Sequence, residues 1–142
     1  MSLKRNQSGF TLLEIIIVII IVGVLASLAL PRLFSTVEFS RSAEALSAIA
    51  TIRSSMERCY LQNNGTYVNC GNGGFTQLDI ETPASSPNAH FTYSITSPST
   101  VGYTITAYRN TLDGGSTGSQ IIVAQTSTNV TRTGIGAFSG LK

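Results

Sequence analysis

The stretch that most constrains this chain is Phe10 to Leu30, FTLLEIIIVIIIVGVLASLAL. Its 21 residues are apolar apart from Glu14 and a few small or hydroxylated side chains. At 1.5 Å per residue it makes about 31 Å of helix, which matches the hydrocarbon core of a bilayer. A carboxylate at the bilayer centre costs roughly 2.5–3.5 kcal/mol even on the lenient insertion scale, so Glu14 needs a reason. Three readings are open. The first is a secretory signal peptide, for which Ser27-Leu28-Ala29 is a passable cleavage site. The second is a plain membrane anchor, which leaves Glu14 unexplained. The third is a segment that ends up packed against copies of itself, where a buried carboxylate meets a buried cation.

Charge is placed unevenly. Of nine Lys and Arg, Lys4 and Arg5 precede Gly9, and the seven that remain are matched by seven Asp and Glu. The basic excess is therefore confined to the N-terminus and reads as a cytoplasmic-side anchor. Residues 10–142 carry no net charge of the kind that holds a polyanion, which argues against a nucleic-acid partner. Charged residues make up 11% of the chain, so its solubility leans on Ser, Thr, Asn and Gly.

Pro31 lacks an N–H and its ring crowds the Ser27 carbonyl, so it should end or kink the first helical stretch. Helical periodicity nevertheless resumes. Ala45, Ile49, Ile52, Met56 and Cys59 or Tyr60 recur at steps of three and four, and Leu46 and Ala50 widen the stripe. Arg41, Glu44, Arg53 and Glu57 fall largely off it, with Arg53 and Glu57 spaced as a surface pair. Asn63-Asn64-Gly65 supplies a stop with a left-handed cap. A turn-rich segment follows from Thr66 to Pro87. The period then changes to two in HFTYSIT, VGYTITAY and SQIIVAQT, with a weaker fourth run over Val130–Ile135. The pattern predicts an α+β fold: a long N-terminal α-helix packed on a C-terminal antiparallel β-sheet of three to four strands.

Cutting the chain between Gly9 and Phe10 would create the cation that Glu14 lacks, an α-amino group four residues before the carboxylate. In side-by-side copies the amine of one meets the carboxylate of the next, which fixes axial register. KRNQSGFTLLE before an apolar run resembles the class III leader of type IV pilins and type II secretion pseudopilins. The resemblance implies cleavage after Gly9 and N-methylation at Phe10 by a prepilin peptidase. It also implies that Glu14 neutralises a neighbour's N-terminus, and that Gly23 and Pro31 are points where the helix melts inside a filament. Downstream, ERCYLQNNGTY and FTQLDIETP are similar to the pilin helix end and loop. Many pilins close a C-terminal loop with a disulfide. This chain has no cysteine after Cys70, so receptor and adhesion roles tied to that loop do not carry over.

The expected organisation is a cleaved leader over 1–9 and a membrane-spanning and filament-core half-helix over 10–30. An amphipathic half-helix over 31–62 and a loop-plus-sheet region over 63–142 together form the globular part. The expected function is a structural subunit, not an enzyme. It enters the inner membrane as a single-pass prepilin and polymerises into an extracellular type IV pilus for adhesion, motility or uptake. The alternatives are a periplasmic type II secretion pseudopilus or a minor pilin. Implied partners are further copies of the chain, the prepilin peptidase, and an assembly ATPase with its platform. No cofactor is expected.

Other candidates are weaker. Cys59 and Cys70 would close a loop of about 12 residues if bridged, and an exported domain favours the bridge over two free thiols. Two cysteines alone lack the other ligands of a zinc site. His90 is the sole histidine and has no nucleophile elbow to serve, so it reads as a satisfied or exposed turn residue. Asp79, Glu81 and Asp113 could contribute to a calcium site but match no EF-hand spacing, and no metal is expected. Gly71, Gly73 and Gly74 are turn glycines and do not form a dinucleotide fingerprint.

Overall fold

The structure, a computed structural model, describes residues 9–71 and 74–141; Lys4, Arg5 and Gly73 lie outside them. Its first element is one helix, α1, Leu12–Gln62, and Pro31 lies inside it. Strands β1 (Phe91–Thr96), β2 (Tyr103–Arg109), β3 (Gln120–Gln125) and β4 (Val130–Ile135) follow. They form a single antiparallel sheet in the order β1-β2-β3-β4. This is the helix-plus-meander that the change of period from 3.6 to 2 predicts. The weak fourth run is a full strand. Three short 3-10 turns, at Phe75–Leu78, Leu112–Gly114 and Gly136–Phe138, lie in segments that periodicity does not resolve.

The chain divides into two compact units, residues 1–36 and 37–142. In the second, Ala45, Ile49, Ile52, Met56 and Cys59 of α1 are buried, as the stripe requires. They join Phe91, Tyr103, Ile105, Ala107, Ile121, Val123 and Phe138 in one core. Strand register lines up the inward rows: Ile95 faces Ile105, which faces Val123. Each large aliphatic side chain so buried contributes about 1.5–3 kcal/mol.

Asn64 and Gly65 take left-handed φ of 53° and 78° and stop α1. The Gly65 N–H donates to the Tyr60 carbonyl at 3.0 Å. Glycine holds such a φ at no steric cost and asparagine tolerates it, so the N-N-G signal is used as a cap. Just before this turn Cys59 is bridged to Cys70, which ties the turn-rich loop to the helix end. The loop is short, so the bridge contributes about 3 kcal/mol in the loop-entropy model. Replacing both cysteines by serine should cost about that much in urea unfolding. A loss under about 1 kcal/mol would mean that the loop is held by its packing instead.

Candidate assembly site

Gly9 and Phe10 precede the helix, and Phe10 is 84% exposed. At the start of α1, Glu14 Oε2 accepts from the Thr11 N–H at 2.8 Å and from the Thr11 hydroxyl at 2.9 Å. Thr11 Oγ1 in turn accepts from the Glu14 N–H at 3.3 Å. This reciprocal pair is a capping box, which satisfies backbone donors that a helix start leaves open. The T-L-L-E spacing carries that signal, and the charge-based reading of Glu14 passes over it. Within a single copy, Glu14 therefore already has a local partner.

From Phe10 onward the side chains of the first unit form an almost wholly exposed apolar surface that includes Leu13, Ile17, Ile20, Val24 and Leu28. The helix is long and apolar enough to cross a membrane. Gly23 and Pro31 both lie within it. Because Pro31 has no N–H, the Ser27 carbonyl lacks its usual helical donor. The Ser27 hydroxyl donates to the Val24 carbonyl at 2.7 Å.

A second group of polar residues holds the globular unit together. Arg109 is 1% exposed, beneath the sheet at the end of β2. Its Nε and a terminal nitrogen donate to the two oxygens of Glu38 at 3.0 and 2.9 Å. Its other donors reach the carbonyls of His90, Asn110 and Leu112 and the Asn110 side chain. The guanidinium sits 5.9 Å from the centre of the Phe91 ring. A Cβ on Gly115 would collide with this guanidinium and with the Asn110 carbonyl, so glycine is needed there for close approach. Arg41 pairs with Asp113 at 3.1 Å and more loosely with Glu38.

His90 lies between two carboxylates, with Nδ1 2.8 Å from Glu44 and Nε2 3.0 Å from Asp113. It is a satisfied turn residue, tied to α1 and to the turn after β2. The expected Arg53–Glu57 pair does not form. Arg53 donates to Gln125 at 3.0 Å, and Glu57 accepts from the buried Tyr67 hydroxyl at 2.9 Å. Tertiary hydrogen-bond partners win over a solvent-screened neighbour. Among the described residues no three His, Cys, Asp or Glu are grouped to hold a metal ion, and Asp113 is used by Arg41 and His90.

The Arg109 hydrogen bonds hold Glu38 below its ordinary value of 4.5, with further help from the charges of Arg109, Arg41 and His90. Asp113 is lowered by hydrogen bonds from His90 and Arg41. A carboxylate depressed in the folded state stabilises it above the unfolded-state pKa, and the contribution is lost as pH falls through the folded value. The thermal midpoint should therefore drop below about pH 4.5. Glu38→Gln should start lower at neutral pH and lose less in acid. Equal acid sensitivity of the two proteins in a melting series would contradict this.

The family described as "Type IV minor pilin ComP, DNA uptake sequence receptor" matches residues 31–120, well over half of the chain. The chain belongs to this pilin family. The N-terminal segment, residues 4–30, matches the prokaryotic N-terminal methylation motif. Among curated relatives, the pilin chain is 44% identical over 61 residues to type II secretion system core protein G of Aeromonas hydrophila, which covers 43% of each. It is 39% identical over 89 residues to the protein of that name in Escherichia coli K12, covering 63% of the chain and 59% of the relative. The type IV major fimbrial protein FimA of Dichelobacter nodosus is 31% identical over 98 residues, 63% of each. The pilin chain spans about two fifths of the length of the first of these relatives and under two thirds of the others. It is a pilin-type structural subunit with an apolar N-terminal helix.

Proposed function

We propose that this pilin is made as a single-pass inner-membrane precursor, cut after Gly9, N-methylated at Phe10, and polymerised into an extracellular type IV pilus. The observation that carries the reading is the exposed apolar surface of α1 from Phe10 to Leu30, interrupted only by Glu14, Gly23 and small or hydroxylated residues. A surface of this size is stable in lipid or against copies of itself, not in water. The Phe10 amine of one copy meets Glu14 of the next and sets register. Gly23 and Pro31 are where the helix loosens as subunits pack. Lys4 and Arg5 stay on the cytoplasmic side. The prepilin peptidase, an assembly ATPase and its platform act on the chain.

A second reading, a type II secretion pseudopilus in the periplasm, is favoured by the relatives named core protein G. Shearing cells and weighing the released protein separates the two. A chain beginning at N-methylated Phe10 among sheared fibres supports the pilus. The same processed chain confined to the envelope supports the pseudopilus. An uncut chain, or one cut after Ala29, defeats both.

A further inference from the structure

Two places on the globular unit carry charge without an ion pair among the described residues. The first is a cleft of about 280 Å³ lined by Leu46, Ala50 and Arg53 of α1 and by Val123, Val130 and Arg132 of β3 and β4. It exists because β4 is an edge strand whose inward parity carries Val130, Arg132 and Gly134, and α1 leaves it uncovered: Val130 is 42% exposed. Arg53 gives one donor to Gln125, but its Nε is buried without an acceptor. Among the described residues neither Arg53 nor Arg132 is ion-paired.

The second place is the segment Leu78-Asp79-Ile80-Glu81. Leu78 is buried and Ile80 packs against the core. The alternation turns Asp79 and Glu81 outward. Asp79 closes the 3-10 turn at Phe75–Leu78 with φ 53°, its N–H donating back to the Thr76 carbonyl. Among the described residues neither carboxylate is ion-paired; Asp79 borders a hollow with Arg58 without contacting it as a salt bridge.

We propose that the 78–81 loop of one copy seats in the Arg53–Arg132 cleft of the next. Glu81 leads, and its carboxylate supplies the acceptor that Arg53 Nε lacks while pairing with Arg132. Buried Val123 and partly buried Leu46 back the cleft and lower the local dielectric around that pair, which makes the attraction stronger than on an open surface. The two patches differ, so the contact is heterologous, and a heterologous contact that does not close into a ring builds a helical polymer. The inference rests on the polymerising role proposed above and gives it a specific contact outside α1. A phosphate backbone is the lesser candidate. A track for it needs a run of cations, whereas this cleft offers two arginines between apolar walls on a neutral mature chain.

The test is a charge swap in the full chain, expressed in cells that assemble it. Arg132→Glu and Glu81→Lys should each lower the assembled fraction by about tenfold or more, the equivalent of 1.4 kcal/mol at the contact. Their combination in one chain should restore it in part, because the pairing between positions 81 and 132 is reversed while Arg53 gains no acceptor from position 81; a folding defect in either variant cannot be rescued this way. Arg132→Gln and Glu81→Gln should fall between. Single swaps that assemble like the parent, or a double swap as defective as the single ones, overturn the contact and leave the polymer reading standing. If Arg132→Glu assembles normally but its fibres no longer retain a labelled DNA duplex, the cleft serves nucleic acid and the contact is wrong. A parent chain that is processed but found in no filament removes both.

Discussion

Replacing Arg109 by methionine should lower the stability of the folded chain by about 3–5 kcal/mol. The side chain is wholly buried and its partner Glu38 is 20% exposed. Methionine fills most of the volume, so the loss is electrostatic. It leaves the Glu38 carboxylate without its bidentate partner, and three carbonyls lose a donor. For a globular unit of roughly 100 residues such a loss lowers the melting midpoint by about 15–25 °C. Glu38→Leu alone should also be costly, since it strands a buried guanidinium. The two changes together should recover part of the loss, because a buried ion pair replaced by apolar side chains of similar volume is often near neutral. Urea unfolding of the four proteins in detergent completes the double-mutant cycle. If the single variants summed to the double, the pair would be incidental and the carbonyl contacts would carry the site.

Which of these features is legible in the sequence depends on how local its cause is. The stripe Ala45, Ile49, Ile52, Met56 and Cys59 is buried as its spacing demands, because helical geometry alone puts those residues on one face. Alternation gives the strands for a similar reason. The Glu38–Arg109 pair joins residues 71 apart, and no local pattern announces it. One signal was available. Arg109 continues the inward parity of Tyr103, Ile105 and Ala107, so a strand in which it faced solvent would have had to bulge. An arginine at the end of a buried row asks for a carboxylate on the covering helix, and Glu38 is there. Arg53 shows the opposite case. Its spacing from Glu57 suggests a local pair, but an acceptor at Gln125 and a donor at Tyr67 redirect the two side chains.

Glu14 is the sharpest conflict between local and intersubunit explanations, and it can be resolved. The capping box with Thr11 explains a glutamate at this position from one copy alone. The register role needs a second copy and a negative charge. Glutamine keeps the box, since its side-chain oxygen also accepts from the Thr11 N–H, but it removes the charge. Thr11→Ala does the reverse. It loses the reciprocal cap, about 1 kcal/mol at a helix start, and leaves the carboxylate. If charge pairing with the Phe10 amine sets register, Glu14→Gln and Glu14→Ala should both reduce filaments at least about tenfold. Thr11→Ala should assemble close to normally. If capping is the reason, Glu14→Gln should assemble like the parent and Thr11→Ala should share the defect of Glu14→Ala. Filament yield, scored at equal levels of processed chain in the membrane, reads this directly. The charge outcome is expected because a capping box needs only one exposed helical turn, whereas this carboxylate stands at the head of a surface that lipid or neighbouring helices must cover. Burying it there without a cation costs several times what the cap contributes.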